Sequence, residues 1–81
     1  MTAKKIEALA EKLVTEIIRD TDLSLVDVEY VKERDWFLRI FLTKPGGIKH
    51  EDCQWVSERL EKKLDELDPI KDTYFLEVSS T

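Results

Sequence analysis

The densest run of reactive side chains is Lys49-His50-Glu51-Asp52-Cys53, which sets an amine, an imidazole, two carboxylates and a thiol in a row. On a helix His50 and Cys53 would stand one turn apart, close enough to share a metal ion or to act as base and nucleophile. The chain has a single cysteine and a single histidine, so no larger ligand set can be built around them. Cys53 also falls on an apolar stripe, and carboxylates at a helix start suit the dipole. The run is read as structural, with no metal and no thiol chemistry.

Asp27 and Glu29 are two residues apart on a predicted strand and so share a face, as a pair of acid–base carboxylates would. Arg39, on the same face of the next strand, offers them an ordinary ionic partner, and a salt-bridged solvated surface is the expectation. Lys44-Pro45-Gly46-Gly47-Ile48 lacks the length and the Lys-Ser/Thr ending of a phosphate-binding loop. No catalytic residue, cofactor or small-molecule substrate is expected.

Phe37, Phe41 and Phe75 should stand with Val31 on that same outer face. Aromatics on a β-surface can stack single-stranded RNA bases, which makes an RNA-binding module the alternative function. Asp27, Glu29 and Glu77 share the face with Arg39 as the one cation, an arrangement hostile to phosphates. An apolar patch rimmed by charge fits a protein contact better.

Five elements must position these side chains. Ile6, Leu9, Ala10, Leu13, Val14, Ile17 and Ile18 make one wide apolar stripe at helical period, predicting a helix over 4–19 with Thr2 as N-cap. It should stop near Asp20-Thr21-Asp22, and Thr2 lacks a capping-box partner because Lys5 stands at N3. Residues 25–31 alternate, with Val26, Val28 and Tyr30 facing one way. Residues 36–43 repeat this with Trp36, Leu38, Ile40 and Leu42, and the polar 32–35 joins the two as a hairpin.

Gly46 and Gly47, the two glycines of the chain, mark where strand alternation gives way to helical spacing. Ile48, Cys53, Val56, Leu60, Leu64 and Leu67 then form a second stripe, ended at Asp68 by Pro69. Glu58 and Lys62 are spaced for a helical ion pair, and Trp55 falls off the stripe, either packed by its edge or standing free as an anchor. Tyr74, Leu76 and Val78 alternate with Phe75, Glu77 and Ser79 as a third strand. The expectation is an α+β fold: an αββαβ two-layer sandwich with both helices on one face of a three-stranded sheet.

The 81 residues, 42% hydrophobic, suffice for one domain and one core. A net charge of −5 disfavours phosphate binding and fits a basic protein partner. One cysteine cannot form an internal disulfide, no apolar run approaches the ~20 residues of a membrane span, and the start carries no apolar signal core. A cytoplasmic protein with no membrane partner is expected.

Four stretches in order now resemble one family. They are Leu25-Val26-Asp27-Val28-Glu29-Tyr30; Leu38-Arg39-Ile40-Phe41-Leu42 with Lys44-Pro45-Gly46-Gly47-Ile48; Asp52-Cys53, Val56-Ser57, Leu64-Asp65 and Asp68-Pro69-Ile70; and Tyr74 with Leu76-Glu77-Val78-Ser79-Ser80. Together, over roughly 23–80, they resemble the N-terminal domain of the bacterial ribosome maturation factor RimP.

The resemblance implies a non-enzymatic assembly factor that binds the free or immature small ribosomal subunit, including a basic ribosomal protein, with rRNA contact possible in principle. It points to Asp27, Glu29, Arg39, Lys44 and Gly46 as contact residues. Each also has a structural reading: Asp27 could pair with Arg39 across the hairpin, and Gly46 and Gly47 could serve the turn alone. The family's Ser-Ser is followed by Pro-Gly and an SH3-like barrel. Here Thr81 is the last residue, so a single domain over 1–81 without the barrel is expected. Thr43 stands where the family usually has Asp, and Lys49 where a Thr-like N-cap is usual, which leaves the start of the second helix without its ordinary cap.

Overall fold

The structure, a computed structural model, describes residues 2–80. It has the expected order: α1 (Ala3–Ile17), β1 (Ser24–Lys32), β2 (Trp36–Thr43), α2 (His50–Leu67) and β3 (Tyr74–Ser80). Thr2 caps α1 as predicted, its hydroxyl accepting the Lys5 N–H at 3.2 Å. The helix closes two residues before position 19, and Thr21 is what turns the chain. Its hydroxyl donates to the Ile18 carbonyl at 2.7 Å and accepts the Leu23 N–H at 3.1 Å.

β1 and β2 pair antiparallel, and β2 and β3 parallel, in the order β1-β2-β3. A parallel pair needs a crossover, and α2 supplies it. β2 is the central strand: Leu38, Ile40 and Leu42 are fully buried on its inner face. Each contributes roughly 1.5–3 kcal/mol by leaving water. Ile6, Ala10 and Val14 of α1 and Val56, Leu60 and Leu64 of α2 close the core from one side. Among the described residues no helix is long and apolar enough to cross a membrane.

Two apolar assignments are corrected. Val26 does not join Val28 and Tyr30 inside. A bulge between Leu25 and Asp27 makes two residues oppose one, so Leu25 packs on the core and Val26 is 51% exposed. Leu67 lies on the helical stripe but at the last turn, and is 57% exposed. The expected Glu58–Lys62 ion pair is not made; Glu58 accepts instead from Gln54 Nε2, one turn earlier.

The β2–α2 joint is a turn closed by the Gly47 N–H donating to the Lys44 carbonyl at 2.9 Å. Pro45 takes its second position and Gly46 its third, where φ of +84° suits glycine. At the other end of α2, Asp68 adopts the left-handed conformation (φ +46°) and its N–H reaches the Leu64 carbonyl at 2.7 Å, just before Pro69.

Candidate functional site

Two helices cover one face of the sheet and leave the other bare, and the register turns the bare face into three rows. Val31, Phe37 and Phe75 stand abreast; then Glu29, Arg39 and Glu77; then Asp27, Phe41 and Ser79. The first row is apolar: the Phe37 and Phe75 ring centroids are 5.7 Å apart, and Phe75 is half exposed. The second row holds a guanidinium between carboxylates.

Arg39 is where the expected pairing fails. Asp27 lies opposite Phe41, one row away, and its carboxylate accepts the Val28 N–H next to it at 2.9 Å. Arg39 instead bonds Glu33 of the hairpin loop at 3.1 Å and Glu77 of β3 at 3.2 Å. These two carboxylates, Glu33 first, hold the guanidinium still more firmly charged than usual. Its flat face also lies 4.8 Å from the Phe37 ring, which ties the charged row to the aromatic one.

With Arg39 engaged twice, Asp27 and Glu29 have no ionic partner among the described residues. The face therefore presents four carboxylates (Asp27, Glu29, Glu33 and Glu77) around one occupied guanidinium. It is acidic at its middle and apolar at the hairpin end. Such a surface repels phosphate and matches a basic protein with an apolar anchor.

Of the five residues expected to make contact, Asp27, Glu29 and Arg39 share this face. Lys44 and Gly46 do not. Lys44 turns toward α2, where its ammonium bonds the Asp52 carboxylate at 3.2 Å. The same oxygen of Asp52 accepts the Lys49 N–H at 2.9 Å, the acidic half of a capping box; the other half is missing, because a lysine ammonium has no acceptor for a first-turn N–H. The Lys49 N–H and then Lys44 hold the Asp52 carboxyl below its ordinary range, and Asp52 holds the Lys44 amine above its own. At Gly46 an added Cβ would meet open space, so the demand there is on backbone conformation.

The reactive run predicted at the start of α2 lies in its first turn. Cys53 is half-buried, and burial, with Asp52 behind it, pushes the thiol up and away from the nucleophilic thiolate. Trp55 takes the packed alternative: it lies against the core with the Arg59 guanidinium 4.0 Å over its ring.

The residues that sequence reasoning missed are Glu33 and Glu77 as partners of Arg39, and Asp52 as a cap. Asp52 had a signal, since an acid three residues into a helix is half of a capping box. Glu77 had none, because its row depends on a parallel register that strand alternation does not specify. Compared with families of known proteins, the chain matches the model of the RimP N-terminal domain over residues 13–81, from the last turns of α1 through β3.

Proposed function

We propose a role that starts from one fact: the chain belongs to the RimP N-terminal domain family, a family of ribosome maturation factors. From it we infer that the domain works without catalysis, in the cytoplasm, by docking on the free or immature small ribosomal subunit. The docking surface is the bare sheet face, and its counterpart is a basic ribosomal protein. The observation that carries this reading is the second row of that face. Arg39 is saturated by Glu33 and Glu77, so Asp27 and Glu29 are left to meet cations from outside.

Co-sedimentation of this chain with free small subunits and with assembled ribosomes tests it. Selective binding to the free subunit is expected, together with about a tenfold loss for the Asp27→Ala, Glu29→Ala double variant at unchanged circular dichroism. Full retention of affinity by that variant would remove the face from the interface. Binding of single-stranded RNA by Phe37, Phe41 and Phe75 is the weaker reading, since four carboxylates share their surface. It requires steeply salt-dependent affinity for a short RNA, lost on Phe→Ala.

A further inference from the structure

The sheet ends on β1 at one side and on β3 at the other, and an edge strand points every second N–H and C=O away from its neighbour. On β1 this edge is occupied. The Tyr30 N–H donates to the Glu7 carboxylate of α1 at 2.8 Å, and the bulge at Leu25–Asp27 interrupts the line. On β3, no backbone group of Tyr74–Ser80 bonds anything beyond β2 among the described residues.

Alongside that free edge runs an open groove of about 910 Å³, with Gln54, Ser57 and Glu58 of α2 on one wall and Leu76 and Val78 below. Glu61 and Asp65 follow Glu58 at i+3 and i+7 and so continue the same flank of the helix. Their proximity to the strand shows at Tyr74, whose hydroxyl is pushed up by burial first and then by Asp65 and Glu61. Lys49 and His50 lie at the other end of the groove, and Arg39 is already held by Glu33 and Glu77. The groove thus has an apolar floor at Leu76 and Val78, and beyond Glu58 the carboxylates of Glu61 and Asp65 continue along the helix toward Tyr74.

We propose that the free edge of β3 takes a fourth strand, an extended segment of a basic protein whose Lys or Arg side chains meet Glu58, Glu61 and Asp65. Main-chain pairing supplies affinity and the acidic row supplies selectivity. Glu58 to Asp65 spans about 10 Å of helix axis. That is about three residues of strand, so two cations at alternate positions of the segment fall within its reach. A second copy of this chain is the poorer occupant, since each copy brings a net charge of −5 and its own Glu77 to the same edge. The proposal rests on the reading that the partner is basic, and it adds the element that grips it.

The probe is a labelled Lys-Val-Lys-Val-Lys-Val-Lys peptide, followed by anisotropy and by amide hydrogen exchange of the protein. Binding with slowed exchange within Tyr74–Ser80 is expected. Methylating every second peptide nitrogen, in each of the two registers, should abolish binding in one of them. The E61Q, D65N double variant should bind about fivefold more weakly. Equal binding by both methylated peptides, equal binding of a Glu-Val counterpart, or protection absent from β3 would overturn the proposal. Co-sedimentation with small subunits separates the two readings. Subunit binding by a chain that ignores the peptide sinks the edge alone, and peptide binding by a chain that ignores subunits sinks the subunit reading alone.

Discussion

The two edge strands of this sheet have the same neighbour and opposite fates. β1 lies under α1, which gives up a carboxylate, Glu7, to close an edge N–H. β3 lies beside α2, whose acids on that side form no ion pair among the described residues and leave the strand's outer backbone bare. The difference teaches that an edge is closed by one well-placed acceptor rather than by the mere presence of a helix. An acid facing the backbone blocks a strand, whereas acids set to the side of a groove leave the edge open to one.

The largest effect should come from removing a core side chain of α2, the helix that walls the open edge. Leu60 is fully buried in the core beneath α2, and Leu60→Ala should cost about 2–5 kcal/mol, a large part of the stability of a domain this size. Denaturant unfolding measures it. If the groove wall is as integral to the core as the packing indicates, the change removes stability and peptide binding together. A loss below 1 kcal/mol would mean the site collapses around the smaller side chain.

Next comes the closed edge. Glu7→Ala should leave the Tyr30 N–H without its charged acceptor, costing about 1–2 kcal/mol and speeding exchange of that one amide. Glu7→Gln keeps a carbonyl oxygen and should recover much of the protection. Unchanged exchange at Tyr30 in the alanine variant would show that packing of α1, not Glu7, seals β1, and the contrast between the edges would fall.

This contrast was half legible in the sequence. The helical stripes, the hairpin and the inward residues of β2 could be read because burial imposes a period on side chains. Strand order had a usable signal in β2, where Trp36-Phe37-Leu38 and Ile40-Phe41-Leu42 carry bulky groups to both faces, as a central strand does. The bulge had none: Leu25 and Val26 are both apolar, and which one turns inward depends on a register shift against β2. The pairing of Asp27 with Arg39 was the natural guess from one hairpin. It failed because Glu77 arrives from a strand 38 residues away and Glu33 from the loop. Glu7 looked like one solvent-side charge among several.

The helices guarding the two edges also start differently, and pH should separate them. α1 begins on the hydroxyl of Thr2, which carries no charge at any ordinary pH. α2 begins on the carboxylate of Asp52, whose folded-state pKa is depressed. Its contribution is therefore present above the ordinary carboxylate pKa and lost as pH falls through the lower folded value. Lys44, raised by the same pair, contributes fully below the ordinary lysine pKa and loses that contribution as pH rises through its folded value. Exchange protection in the first turn of α2 should weaken in acid while that of α1 holds. Asp52→Asn should flatten the acid limb, and an unaltered limb would assign it to other carboxylates.

The smallest effect is expected at Tyr30, where both halves of the comparison meet in one residue. Its N–H at the sheet edge is satisfied by Glu7, while its hydroxyl, buried on the core side, has no hydrogen-bond partner among the described residues. The ring justifies its place by stacking on Trp36, with centroids 4.6 Å apart and planes within 10°. Tyr30→Phe keeps that ring and removes only the unpaired group. Stability should be unchanged or rise by up to about 1 kcal/mol, because a buried orphan costs more than its removal. Hydrogen exchange at the same residue should not move, since the edge bond is untouched. A loss of more than 1 kcal/mol would mean that the hydroxyl has a partner, and that the core on the β1 side, like its edge, is closed by a polar contact.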